Sequence, residues 1–331
     1  MSFVTSNACP FPSNNSPNAA KAEDDELRYV IPEGFSGFPQ IGHHVQESVL
    51  PLLTISGAAL VGIGTGFTVT PNGLIVTAAH VIAEALTHGI PKVRPDGGFD
   101  YELQFYALYL TNRQDKETGH YIGGVLPISK VWHITELDIG FCRLGSPYGP
   151  NGWMPTFPVF RLSAKLPAIG NKVLGCGYYQ MKGNVGDLKE GSKIEVHYSQ
   201  QTAYTTGDVV EIHPLKRDSA MLKFPCFRTD ARFDPGMSGG PVLNEEGNVC
   251  GVICSSLPGD ESNPGHVSYA SLIWPALGTP IELQQSEGPP TAVLVHDLAR
   301  DGIILMDTSL PEVRVDNNAD GSREVSLHLR R

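Results

Sequence analysis

Asp234-Pro235-Gly236-Met237-Ser238-Gly239-Gly240-Pro241-Val242 sets one serine in a glycine-rich turn and runs on into apolar, strand-like sequence. Gly239 and Gly240 follow the serine, and Gly236 stands two positions before it. That spacing lets the backbone fold tightly and bring N–H groups close to an incoming carbonyl. A structural turn needs glycine for its positive φ angles, but it has no need of a serine between them. A hydroxyl is a weak nucleophile without a histidine base and an orienting carboxylate, so the stretch gains chemistry only if both stand elsewhere in the chain.

A histidine stands at the end of a hairpin. Ala58 to Thr70 reads as β-structure, Pro71-Asn72-Gly73 supplies a turn, and Leu74-Ile75-Val76-Thr77 is a β-branched return strand. Asn-Gly between two such runs is a strong hairpin signal. Ala78-Ala79-His80-Val81-Ile82 follows; its small residues leave room around the imidazole, and the next Ala-Glu-Ala-Leu suggests one short helical turn. The acid stands in Glu136-Leu137-Asp138-Ile139-Gly140-Phe141-Cys142-Arg143-Leu144, at the mouth of an apolar strand, where Glu136 and Asp138 compete for the role.

The remaining pattern is rich in strands. Tyr101 to Leu110 and Tyr121 to Val131 read as strands of the first half. Residues 145–158, with four prolines and three glycines, read as a connector. Lys172–Tyr179, Lys193–Tyr198, Val209–His213, Ala220–Arg228 and Val249 to Ser255 are strands of the second half. Neither half holds a 3.6-period amphipathic stretch of any length, and short strands at regular spacing argue for barrels or sandwiches. In the tail, Thr291–Val295 and Gly302–Met306 are candidate strands, and Val313–Val315 with Glu324–Leu327 a candidate hairpin. The expected organisation is a polar, poorly ordered arm (1–48), a first barrel (49–150), a second barrel (151–285) and a C-terminal extension without a chemical reading (286–331).

Composition excludes several classes. With 36 glycines and 26 prolines in 331 residues, the chain is globular and turn-rich. A net charge of −11 gives no footprint for nucleic acid or for an anionic membrane surface. The apolar run from Val49 to Phe67 is broken by Pro51, Thr54, Ser56, Thr65 and four glycines, which favours a buried strand pair over a spanning helix. The first residues show neither a basic region nor an apolar core of the secretory type. Six cysteines show no metal-binding spacing, and Cys250 and Cys254 on one strand lie about 13 Å apart, too far to bridge. Reduced, mostly buried thiols fit the cytoplasm. His43-His44 is an improbable metal pair, because adjacent side chains point apart. No metal or organic cofactor is expected.

Thr77-Ala78-Ala79-His80, Leu137-Asp138-Ile139-Gly140 and Gly236-Met237-Ser238-Gly239-Gly240-Pro241 stand in the order His, Asp, Ser, with separations of 58 and 100 residues. Over about 52–283 this resembles the chymotrypsin-fold (trypsin-like) serine peptidases. The resemblance implies an all-β protein of two packed six-stranded antiparallel β-barrels with the site in the cleft between them. Within that family, Thr229 to Pro241 looks most like the HtrA-type branch and its stand-alone bacterial relatives. Met237 stands where digestive proteases carry the aspartate that pairs with a freed N-terminus, and no Ile-Val-Gly-Gly start is present, so activation of that kind is not implied. No PDZ-like segment is visible. By resemblance, Ser238 is the nucleophile, His80 the general base and Asp138 its orienting acid, and the N–H groups of Gly236 and Ser238 form an oxyanion hole. Cys254, Ser255 and Ser256 would pair with substrate backbone. Arg232 aligns with the floor of the first specificity pocket; pointing inward it would select an acidic side chain, pointing to solvent it would leave a modest apolar pocket, and the second is preferred. The expected partners are protein or peptide substrates; the oligomeric state stays open. The expected activity is endopeptidase, falling as pH drops through about 6.5. A catalytically silent domain that binds proteins is the alternative, and an esterase on the same triad is disfavoured by the absence of strand–helix alternation.

Overall fold

The computed structural model of the chain describes residues 3–6, 45, 47–56, 59–88, 90–93, 99–102, 104–114, 121–146, 154–185, 195–257, 267–283, 291–317 and 323–328. The first half holds β1 (Phe3–Ser6), β2 (Val49–Ser56), β3 (Ala59–Thr68), β4 (Leu74–Thr77), α1 (Ala79–Thr87), β5 (Ile90–Val93), β6 (Phe99–Glu102), β7 (Phe105–Gln114), β8 (Tyr121–Ile134) and β9 (Ile139–Leu144). The second half holds β10 (Lys172–Val185), β11 (Glu195–His213), β12 (Cys226–Thr229), β13 (Pro241–Leu243), β14 (Val249–Leu257) and β15 (Val267–Leu272). The tail adds β16 (Pro280–Leu283), β17 (Thr291–Leu294), α2 (Val295–Arg300), β18 (Val313–Asn317) and β19 (Arg323–Leu327).

Hydrogen-bonded pairing closes two barrels. In the first, β2-β3-β4-β9-β8-β7 returns to β2, every pair antiparallel. In the second, β10-β11-β12-β15-β14-β13 returns to β10, again antiparallel throughout. The run Leu74-Ile75-Val76 is apolar without interruption because both faces of β4 are covered. Ile75 enters the interior of the first barrel with Leu50, Phe105 and Leu126, while Leu74 and Val76 turn toward a core shared with Val173, Phe227 and Val242 of the second. Each barrel is thus complete, and their facing walls bury one common layer. At the far end, Ala59–Val61 of β3 also pairs with Lys182–Asn184 of β10, joining the barrels directly.

Several strands differ from the sequence expectation. The strands expected over Lys193–Tyr198 and Val209–His213 belong to one 19-residue strand, β11 (Glu195–His213); residues 193 and 194 lie outside the described residues. The polar run between the two expected strands buries Gln200, Thr202 and Thr205, and Thr suits a pleated surface as well as an apolar residue does. The strand expected over Ala220–Arg228 shrinks to Cys226–Thr229. Before it, one Asp218 carboxylate oxygen accepts the N–H groups of Ala220, Met221 and Leu222, which closes a turn instead. Tyr101 to Leu110 is divided between β6, which pairs with β5, and β7.

The tail is folded onto the second barrel. Gly302–Met306 is not a strand; its one ladder contact is an isolated bridge from Met306 to Leu162. Val295 opens a short helix rather than ending a strand, and Val295, Leu298 and Ala299 bury one face of it. The β18–β19 hairpin forms as read. Asp307 ties the tail to the segment before β10 by accepting a hydrogen bond from the Ser163 hydroxyl, and within the tail it accepts the Ser309 backbone N–H. The expected boundary at 285 falls between the paired strands β16 and β17. In the N-terminal arm, β1 lies beside β11 and β8; residues 7–44, with Cys9, His43 and His44, lie outside the described residues, as do 147–153 of the connector.

Candidate active site

Ser238 sits in the turn between β12 and β13, and that turn has three pinned N–H groups. Met237 donates to the Asp234 carbonyl at 3.0 Å, Gly239 to Ile253 at 2.8 Å and Gly240 to Met237 at 2.9 Å. The N–H groups of Gly236 and Ser238 have no acceptor among the described residues. Gly236 has φ 101° and Gly239 φ 87°, both in the region that favours glycine. The turn is pressed against the first barrel, where the Thr65 N–H donates to the Ser238 carbonyl at 2.8 Å. A Cβ on Gly239 would meet Thr77 Oγ1 at 2.1 Å and the Ala78 nitrogen at 2.9 Å, so the serine turn abuts the start of the helix that carries His80.

His80 lies in the first turn of α1, half exposed. Its Nδ1 meets both carboxylate oxygens of Asp138, at 3.0 and 2.9 Å, and its backbone N–H donates to the first of them at 3.0 Å. Asp138 therefore fixes both the ring and the backbone of the histidine. Asp138 itself has φ 48°, a left-handed conformation at the end of the Thr135–Asp138 turn, whose Asp138 N–H donates to Thr135. Such an angle in a non-glycine residue marks a constrained position. Glu136, the competing acid, is exposed on the same turn, and Asp138 is the one that meets His80.

Burial lowers the His80 pKa, but the hydrogen bond that the ring donates to Asp138, the charge of Asp138 and the charge of Glu84 together prevail and raise it above 6.5. This moves the acid limb expected near 6.5 upward. Protonation stabilises the fold fully below about pH 6.5, and that contribution is lost as pH rises through the higher folded value. The neutral ring, the form that accepts a proton, accumulates over the same upper interval. Titrating His80 by imidazole proton NMR should give a midpoint above 6.5 in the parent, and Glu84→Gln should lower it. A parent midpoint below 6.5 would contradict the assigned balance.

The other residues singled out in the sequence take varied positions. Arg232 is exposed, and its Nε and Nη2 bind the Asp234 carboxylate at 2.9 and 2.7 Å. Ser255 and Ser256 are half-buried on β14, paired on one side with Tyr269 and Ser268 of β15. On the other side β13 reaches only Val252, so the edge from Cys254 to Ser256 has no strand partner among the described residues. Cys254 is buried, and its thiol donates to the Tyr269 carbonyl at 3.2 Å. Five cysteines are free and buried. Burial pushes Cys226 up to about 11 and Cys250 up to about 12, and raises Cys142, Cys176 and Cys254 as well. None is a thiolate near neutral pH. Among the described residues no cluster of His, Cys, Asp or Glu is arranged to hold a metal ion, and no helix is long and apolar enough to cross a membrane.

Thr65 and Thr77 escaped the sequence reading. The Thr77 hydroxyl donates to the Thr65 carbonyl at 2.7 Å, and the Thr65 hydroxyl donates to the Gly236 carbonyl at 2.8 Å. The one visible signal was Gly64-Thr65-Gly66, a threonine between two glycines inside a strand.

A β-barrel pair with a histidine–aspartate couple beside a serine turn defines a peptidase fold. The pattern of the trypsin-like peptidase domain matches residues 64–252, more than half of the chain. The chain belongs to the trypsin-like peptidase family. Among solved structures it is similar to the apo MamO protease domain from Magnetospirillum magneticum, at 16% identity and a TM-score of 0.43, covering 70% of this chain and 94% of that one. It is also similar to the HtrA-type protease AlgW with tripeptide, at 16% identity and a TM-score of 0.41, covering 69% of this chain and 57% of that one. A comparison with curated proteins finds no match. Family membership implies protein or peptide substrates.

Proposed function

We propose that the chain is a serine endopeptidase working through an acyl-enzyme. The observation that carries the reading is the His80–Asp138 couple, 2.9 Å between Nδ1 and carboxylate, standing beside the turn that presents Ser238. Asp138 keeps the ring proton on Nδ1, which leaves Nε2 as the free base. Ser238 Oγ gives its proton to Nε2 and attacks the scissile carbonyl; the imidazolium then returns that proton to the leaving amine. The two unpaired N–H groups, of Gly236 and Ser238, receive the oxyanion that forms. Water repeats the sequence on the ester and releases the acid.

In this reading the free edge from Cys254 to Ser256 takes the substrate backbone as an added strand. Arg232, bound to Asp234 in solvent, leaves the first pocket apolar rather than cationic. A reducing, cytoplasmic setting belongs to the same proposal and rests on the five free, buried thiols.

The test is covalent labelling. A fluorophosphonate should label the parent at Ser238 and fail on Ser238→Ala and His80→Ala, and iodoacetamide should leave turnover unchanged because the five buried thiols are protonated. Undiminished labelling of Ser238→Ala would sink the assignment. One observation favours a second reading, a silent or latent domain that binds proteins: Ser238 Oγ has no hydrogen-bond partner among the described residues. An apo site often closes this contact only with substrate present. Absence of label and of turnover in the folded parent would favour that second reading.

A further inference from the structure

We propose that Thr65, on the first barrel, is a positioning residue that holds the serine turn of the second barrel with the Ser238 N–H free for the oxyanion. The proposal rests on the serine peptidase reading above. Three successive peptide groups decide which way the N–H groups of this turn face. The group joining Gly236 to Met237 is fixed at both ends: Thr65 Oγ1 donates to its carbonyl at 2.8 Å, and its N–H donates to Asp234 at 3.0 Å. The group joining Met237 to Ser238 has its carbonyl on the Gly240 N–H at 2.9 Å, which leaves the Ser238 N–H facing the other way, unpaired. The group joining Ser238 to Gly239 is fixed at both ends again, with the Thr65 N–H on its carbonyl at 2.8 Å and its own N–H on Ile253 at 2.8 Å. Thr65 thus grips the first and third groups, and the free N–H lies on the second.

The grip is itself held. Thr65 Oγ1 accepts the Tyr178 N–H at 3.0 Å while it donates to Gly236, so its hydroxyl has one orientation. The Thr65 carbonyl accepts the Thr77 hydroxyl at 2.7 Å, three residues before His80. Thr65 and Thr77 are fully buried, so water does not compete for these bonds. One residue therefore couples three places: its backbone carbonyl meets the strand that leads to the base, and its hydroxyl meets the second barrel at the Tyr178 N–H and the carbonyl of Gly236. Without the hydroxyl, the Gly236 carbonyl loses a buried donor and the Tyr178 N–H a buried acceptor, and the turn is free to rotate and misdirect the N–H groups it carries.

The variants are Thr65→Val, which keeps the shape and removes the hydroxyl, and Thr65→Ser, which keeps the hydroxyl. Losing one oxyanion donor costs about 10²–10³ in kcat, and a donor left in place but misdirected should cost Thr65→Val about 10–100-fold. KM on a quenched peptide substrate should stay within about twofold, and the acid limb set by His80 should not move. Backbone hydrogen exchange by mass spectrometry over 233–241 should quicken at least about tenfold in Thr65→Val, with both barrels otherwise as protected as in the parent. Thr65→Ser should restore turnover and exchange to near the parent's. Equal turnover and equal exchange in Thr65→Val and the parent would overturn the proposal, as would a loss that Thr65→Ser does not rescue. If the parent neither labels at Ser238 nor hydrolyses peptide, the peptidase reading fails, and local exchange still decides whether Thr65 holds the turn.

Discussion

Asp138→Asn is expected to lower kcat by about 10⁴-fold while the protein stays folded. The backbone explains why the fold survives. Asp138 sits at φ 48°, a conformation that asparagine adopts as readily as aspartate, and the amide oxygen of Asn can still accept the His80 backbone N–H. The proposed proton transfer does not survive. His80 Nδ1 now lies 2.9–3.0 Å from two carboxylate oxygens, both acceptors, so the ring proton belongs on Nδ1. An amide places an NH₂ donor there, which draws the lone pair of Nδ1 and moves the ring proton to Nε2. A protonated Nε2 cannot take the proton of Ser238. The same change removes two of the causes that raise the His80 pKa, so its midpoint should fall. The check is kcat on a peptide substrate beside a thermal melt and an NMR titration of His80. Turnover within about tenfold of the parent, with the ring midpoint lowered, would remove Asp138 from the mechanism.

The candidate site residues that were legible in the sequence share a property: each lies in a short stretch whose residue types serve chemistry better than structure. Ser238 between glycines, His80 after two alanines and Asp138 before an apolar strand could each be named without knowing what they touch. Thr65 could not. Its partner Gly236 is 171 residues away, and a threonine inside a strand is ordinary until that contact exists. Asp138 was separated from Glu136 by its neighbours in sequence, and the structure supplies the physical reason, a left-handed turn that aims one carboxylate and leaves the other in solvent. The two barrels were legible from strand spacing and resemblance together. β11 was not read as one strand, because Gln200, Thr202 and Thr205 look like loop until their burial is known. The tail helix of six residues was too short for a 3.6-residue period to declare itself.

Gly239→Ala is expected to destabilise the protein by roughly 2–5 kcal/mol, among the largest single-residue losses available to this fold. Two effects combine. The backbone at φ 87° disfavours any side chain by roughly 1–2 kcal/mol. The new methyl would also lie 2.1 Å from Thr77 Oγ1 and 2.2 Å from the Thr65 carbonyl oxygen, where overpacking adds roughly 1–3 kcal/mol. Neither neighbour can yield freely, since those two atoms are already hydrogen-bonded to each other at 2.7 Å. Gly170→Ala separates the two effects, because Gly170 has the same φ of 87° and open space around it. It should lose only the backbone part. Denaturant midpoints of both variants, read with unchanged m values, give the comparison. A Gly239→Ala loss no larger than that of Gly170→Ala would mean that the serine turn can stand away from the first barrel without cost. The close approach of the turn to Thr65 and Thr77 would then be an accommodation rather than a constraint. A larger loss means that the barrels must meet within van der Waals contact at this glycine for the serine and the histidine to share a cleft.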